Sequence, residues 1–200
     1  MEQAPTDADF EQPAAVAADR RDVALLERIV GGDRDAFDTL YRGYYGRLMD
    51  FLTRMLKQHE LAEEVVNDTM LAVWTGGGAF GGRSRVSTWV FGIAYRKALK
   101  RLARERRGPT APFEAALELA ADSDPGAEFD EAELQRRFRA ALAELSPAHR
   151  SVVELTFLLE HSYEEVADIV GCPVNTVKTR MFHARARLRQ LLSGFLGRAR

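Results

Sequence analysis

The sequence predicts an all-α fold of two small helical domains joined by a flexible linker. Three observations carry that expectation. Apolar residues recur at steps of three and four from Asp22 to Arg107 and again from Phe129 onward, the spacing of helix faces. No stretch alternates as a strand does. An acidic, proline-bearing segment at residues 108–128 separates the two periodic regions.

The elements follow in order. Residues 1–21 are acidic, rich in Ala and Gln, and without helical periodicity, so they are expected to be disordered. From Asp22, Val23, Leu25, Leu26, Ile29 and Val30 form an apolar stripe that Gly31-Gly32 stops. Phe37, Leu40, Tyr41, Tyr44, Leu48, Phe51, Leu52 and Met55 mark one face of a longer helix. A third helix buries Leu61, Ala62, Val65, Val66, Met70 and Val73 and turns Glu63, Glu64, Asn67 and Asp68 outward. Thr75–Gly82 breaks that helix, and Ser87 or Thr88 is expected to cap a fourth. The fourth begins apolar and ends basic, with Arg96, Lys97, Lys100, Arg101, Arg104, Arg106 and Arg107. Within the linker, Glu114–Ala120 has the composition of a single helical turn.

The second domain, residues 129–200, opens with a helix to about Ala143. Ser146-Pro147 is a cap followed by proline at the first helical position. Ser162 and Glu165 have capping-box spacing, and Gly171-Cys172-Pro173 forms a turn before the last helix. A capped short helix, a glycine turn and a second helix describe a helix-turn-helix. Its second helix would bury Val174, Val177, Met181, Ala184 and Leu188 and expose Asn175, Thr176, Lys178, Thr179, Arg180 and His183. Amide, hydroxyl and guanidinium groups read base edges, and lysine and arginine hold phosphates.

Charge is segregated along the chain. The net charge is only −2, yet residues 41–107 carry six acids against thirteen bases, and no acid follows Lys178. Two basic segments separated by an acidic connector suit two contacts with nucleic acid. Phe80, Trp89, Phe91 and Tyr95 lie among the bases of the first, a composition that fits unstacked single strands. Of these, Trp89 and Phe91 are expected in the core, and Phe80, Arg83, Ser84 and Arg85 in the contact loop. The single cysteine, Cys172, excludes an internal disulfide and fits a reducing cytoplasm. No apolar run is long enough to span a membrane, and the N-terminus lacks the order of a signal peptide. Gly76–Gly82 lacks the strand and the Lys-Ser/Thr of a phosphate loop, and the four histidines have no metal-ligand spacing. His161 is placed to cap the helix before it. No nucleophile–base pair is visible, so the reading is of a non-enzyme with no catalytic residue, metal or cofactor. An ordinary helix-turn-helix regulator would account for residues 145–193 but leaves residues 22–107 without a role.

Ala62–Trp74, Phe80–Lys100 and Leu145–Leu192, in that order and spacing, resemble regions two and four of the sigma-70 family, in its extracytoplasmic function (ECF) group. The resemblance implies a cytoplasmic sigma factor that binds RNA polymerase core and directs promoter-specific initiation. It implies that residues 22–107 form region 2 and residues 129–200 region 4. Glu63, Glu64, Asn67, Asp68 and Leu71 would bind the β′ clamp helices, and region 4 the β flap. Phe80, Arg83, Ser84, Arg85, Trp89, Tyr95, Arg96 and Lys97 would capture and melt the −10 element of promoter DNA. Asn175, Thr176, Lys178, Thr179, Arg180 and His183 would read the −35 element. The acidic linker would run toward the RNA exit path, and an anti-sigma factor or other regulator is a further partner of such proteins. The chain departs from the family's common residues at Asn67-Asp68, Val86 and Arg96, which leaves the −10 sequence open.

Overall fold

A computed structural model describes residues 13–105 and 131–196. Eight α-helices and one short 3₁₀ turn make up these residues, with no strand among them. The first domain holds α1 (Pro13–Val30), α2 (Arg34–Leu56), α3 (His59–Gly76) and α4 (Val86–Glu105). The second holds α5 (Glu131–Ala143), α6 (Pro147–Phe157), α7 (Tyr163–Val170) and α8 (Val174–Leu196). The Glu114–Ala120 turn lies outside the described residues.

Helix starts follow the chemistry of their caps. Asp33 precedes α2, and its Oδ1 accepts from the amides of Asp35 and Ala36, each at 3.0 Å. Ser146 caps α6 by accepting from His149 N. The capping box at α7 is complete: Ser162 Oγ accepts from Glu165 N at 3.2 Å, and Glu165 Oε2 accepts from Ser162 N at 2.8 Å. Gly171 ends α7 at φ +68°, in the left-handed region that favours glycine.

The first core is built from α2, α3 and α4. Leu48, Phe51, Leu52, Val66, Val73, Val90 and Phe91 are fully enclosed. Phe91 stands at its centre, edge-on to Phe51 with ring centroids 5.8 Å apart. Each such side chain contributes about 2 kcal/mol of transfer free energy. In the second domain, Val152, Leu155, Val166, Ile169, Val177 and Met181 close the core of the helix-turn-helix.

Four features differ from the sequence reading. Helix α1 begins at Pro13, not Asp22, so the acidic segment joins the fold well before the apolar stripe starts. Helix α3 runs on through Thr75 and Gly76, and Gly77–Ala79 tighten into the 3₁₀ turn. A Cβ at Gly77 would come within 3.2 Å of Leu26 Cδ1, so this glycine admits α1 to the turn instead of breaking the helix. Ser87 and Thr88 do not cap α4, which already begins at Val86. His161 does not cap its neighbouring helix through its ring. The ring is buried, lies 5.5 Å from the Phe91 ring, and has neither nitrogen hydrogen-bonded.

The two domains pack against each other, α4 on α7 and α2 on α6. Arg54 Nε donates to Glu154 Oε1 at 3.0 Å across the junction. Buried Arg150 joins several helix ends. It donates to the carbonyls of Leu142 (2.9 Å) and Ala143 in the last turn of α5 and of Leu145 (3.2 Å) just beyond it, and to Arg54 O (3.1 Å) near the end of α2. A guanidinium is suited to this position because helix C-termini carry unpaired carbonyls and partial negative charge.

Glu154 is 1% exposed, and burial pushes its carboxyl up to about 7, only partly offset by Arg54 and Arg150. The folded chain thus holds this proton to about pH 7, whereas the unfolded chain releases it near its ordinary value of 4.5. Its contribution is complete below the unfolded value and is lost as pH rises through the folded one. Glu154→Gln, which cannot ionise, should therefore flatten the fall in melting temperature between mildly acidic and mildly alkaline pH. Parallel melting curves for both proteins across that range would refute the assignment.

Candidate nucleic-acid and polymerase interfaces

Three surfaces carry the residues singled out in the sequence. On α3, Glu63, Glu64, Asn67, Asp68 and Leu71 all point outward. Leu71 is 59% exposed, a large apolar side chain mostly in solvent at the rim of the domain. Glu64 pairs with Arg101 of α4 at 2.8 Å, and Asn67 Oδ1 accepts from Tyr41 Oη at 2.9 Å. Beside this ridge runs an open groove lined by Arg34, Phe37, Tyr41, Met70 and Trp74. Phe37 and Trp74 meet edge to face at 5.2 Å, which fixes the groove wall. The groove was not recognised from sequence, because its aromatic residues share the spacing of core positions.

The second surface is the α3–α4 loop and the first half of α4. Phe80 leans on Trp89 with ring centroids 5.4 Å apart, and both rings are half-buried. Arg83 and Arg96 are exposed, and Ser84 and Lys97 partly so. Gly82 turns the loop at φ +64°. Two of the candidates are covered. Arg85 donates from Nε and Nη2 to the two oxygens of Glu165 in the other domain. Tyr95 is buried, and burial pushes its phenol above the ordinary value against the opposing effect of Arg180.

The start of α4 is held from a distance. Asp19 of α1 accepts from Val86 N at 2.9 Å, supplying the cap that no residue of the loop provides. Asp22, one turn along α1, accepts from Tyr44 Oη at 2.5 Å. Burial pushes the Asp22 carboxyl up, against that hydrogen bond. Nothing in the sequence pairs Asp19 with a position 67 residues away, so the sequence reading passed over this contact.

The third surface is the outer face of α8, a helix that contains no Asp or Glu. Asn175, Lys178, Thr179 and His183 are exposed on it, while Thr176 and Arg180 are partly covered. Thr179 Oγ1 donates to Asn175 O at 2.9 Å, and Arg180 Nη1 lies 3.7 Å from Cys172 Sγ. His183 stands 6.2 Å from His149, whose pKa is lowered first by burial and then by His183 and Arg180. Phe182, 70% exposed, was missed by the sequence reading. Its place one turn beyond Lys178 and Thr179 puts an apolar ring on the same face, where thymine methyl groups could be met.

Residues 40–108 match the family described as Sigma-70 region 2, and residues 135–188 match Sigma-70, region 4. A Mycobacterium tuberculosis protein named ECF RNA polymerase sigma factor SigM is 34% identical over 89% of this chain and 87% of its own length. The chain belongs to the sigma-70 family, in its ECF group. ECF RNA polymerase sigma factor RpoE of Cereibacter sphaeroides is 32% identical over 88% of this chain and 98% of its own. Among solved structures, the sigma factor RpoE of Bartonella quintana, in complex with the anti-sigma factor NepR, superposes with a TM-score of 0.63 at 27% identity. That match covers 78% of this chain and 96% of the other. Sigma factors are not enzymes; they direct promoter-specific transcription through RNA polymerase. Among the described residues no helix is long and apolar enough to cross a membrane, and no His, Cys, Asp and Glu cluster could hold a metal.

Asp19→Ala should cost about 1 kcal/mol of stability, the value of a lost N-cap. It should also speed hydrogen exchange at the Val86 amide. Unchanged exchange at Val86 would show that α1 does not hold the start of α4.

Proposed function

We propose that this ECF sigma factor recognises both promoter elements, with residues 22–107 engaging polymerase core and the −10 element and residues 129–200 reading the −35 element. The observation that carries the reading is the acid-free outer face of α8, braced by the capped helix α7. Bracing fixes the second helix so that its exposed side chains enter the major groove as a unit. Asn175, Thr176, Thr179 and Arg180 have the groups that read base edges, and Lys178 and His183 would contribute positive charge or hydrogen bonds to the same −35 contact.

Phe80, Arg83, Ser84 and Arg85 would receive an extruded base of the −10 strand, because a loop with an aromatic wall offers stacking and charge together. Trp89, Tyr95, Arg96 and Lys97 would hold the melted strand beside it. The ridge of Glu63, Glu64, Asn67, Asp68 and Leu71 would dock on the β′ clamp helices, with Leu71 as the apolar anchor and region 4 meeting the β flap. The complex of the Bartonella relative with NepR supports an anti-sigma partner for this chain as well.

The direct test is run-off transcription from fragmented genomic DNA with bacterial core polymerase, with and without the chain. New transcripts that need both components are expected, with start sites that report both elements. Arg180→Ala should lower promoter-directed transcription by about tenfold, the scale of one lost base contact. Asp68→Arg should reduce co-elution with core while leaving the melting temperature unchanged. Full transcription by Arg180→Ala, or normal co-elution by Asp68→Arg, would remove that residue from the assignment.

A further inference from the structure

Beside the outer face of α8 stands a residue with no role assigned above, His149 of α6. It lies in the first turn of that helix, where its amide donates to Ser146 Oγ at 3.4 Å. Its ring centroid is 6.2 Å from that of His183, and the two ring planes are 31° apart. His149 is half-buried and His183 is exposed. Two imidazoles from two helices thus meet at one edge of the face assigned to the −35 element.

The surroundings of the pair are cationic. The influences on the His149 ring are burial, His183 and Arg180, with no hydrogen bond and no carboxylate among them. Arg150, the next residue of α6, turns away onto the carbonyls of α5 and α2. Along α8, His183 has Thr179 and Arg180 one turn before it and Arg187 one turn after, on a helix that contains no acid. Helices α5 and α7 also pack on α8, and neither sets a carboxylate against the His149 ring.

Positive charge gathered without a counter-carboxylate attracts an anion from outside the fold. Burial and its cationic neighbours hold the His149 ring below its ordinary value, so in the free chain it is uncharged near neutrality. A phosphate at the pair reverses that balance, because its negative charge favours the protonated ring. An imidazolium donates from both nitrogens and a neutral imidazole from only one. The spacing suits such a ligand: each donor nitrogen reaches an oxygen about 2.8 Å beyond itself, so two rings at this separation can hold two oxygens of one phosphodiester. A metal is the poorer occupant, since among the described residues no third His, Cys, Asp or Glu joins the pair.

We propose that His149 and His183 together form a binding site for one DNA phosphodiester beside the −35 element, and that protonation of the pair tightens it. The proposal rests on the assignment of the outer face of α8 to duplex DNA. The site reads no base, because a phosphate contact positions the protein without carrying sequence. Ring charge is favoured in the complex and disfavoured in the free chain. Affinity therefore rises as pH falls and is lost as pH rises through the value of the bound rings.

The test is fluorescence anisotropy with the full chain and a short labelled DNA duplex of random sequence, at fixed low ionic strength. Binding should tighten about tenfold from about pH 8 to about pH 5.5, the scale of one added charge-assisted hydrogen bond. His149→Gln and His183→Gln keep a donor without a titratable charge, and each should lose most of that gain. The His183 side chain is exposed, so its variant stays informative even if His149→Gln melts early. At the lower pH the fall of log affinity with log salt should be steeper by about one in the wild type than in either variant. In NMR spectra the two ring signals should titrate at higher pH with the duplex than without it. A low-pH gain that a folded variant keeps in full overturns the site, as do ring titrations that the duplex leaves unchanged. Wild-type binding that is absent, or indifferent to pH, overturns it as well. Run-off transcription does not depend on this site and judges the −35 reading separately.

Discussion

In an all-α chain every helix leaves four amides and four carbonyls without intrahelical partners, and this molecule joins its parts at those ends. Asp19 supplies the start of α4 from α1. Arg150 collects carbonyls at the end of α5 and near the end of α2. Glu165 closes the capping box of α7 and also holds Arg85 and Thr88 of the first domain. These contacts fix where the helices begin and end relative to one another, which apolar packing alone does poorly. An apolar stripe sets which face turns inward, but slippage along the axis costs it little. A charged side chain at a helix end tolerates no such slippage, because the donors and acceptors occupy one place.

That division explains what could be read from sequence. The faces of α2, α3 and α8 followed from three- and four-residue spacing, and Leu48, Val66, Val177 and Met181 are buried as the pattern requires. Local caps at Ser146 and Ser162 were legible because cap and helix are adjacent in sequence. The start of α1 was not, since its first turns lack an apolar stripe. Nor was the cap of α4: the nearby hydroxyls of Ser87 and Thr88 were the local solution, while the molecule uses a carboxylate 67 residues away. The outward residues of α3 are exposed as expected, as are Asn175, Lys178, Thr179 and His183 of α8, whereas Thr176 and Arg180 are partly covered. The covering of Arg85 and Tyr95 was invisible, because it depends on how two separately legible domains meet.

The contrast between cores and junction is physical. Within each domain, enclosed side chains such as Leu48 and Ile169 are apolar and carry no polar group to satisfy. At the junction, charges are removed from water and must find partners, which a continuum argument shows can cost as much as the pairing returns. The charged ties therefore fix how the two domains meet, while their net contribution to stability is limited by desolvation.

The two carboxylates of the junction show how finely that balance is set. Glu165 and Glu154 are both withdrawn from water, yet their acidities move in opposite directions. The difference lies in donors. Glu165 has the His161 ring beside it and receives hydrogen bonds from Arg85, the Ser162 amide and Thr88, which together outweigh desolvation. Glu154 sits deeper and receives its direct bond from Arg54 alone, with Arg150 turned toward backbone carbonyls. One tie is therefore held by a firmly ionised group and the other by a group that titrates near neutrality. With several donors on one carboxylate and one direct donor on the other, the first tie keeps its charge through neutral pH while the second changes its charge there.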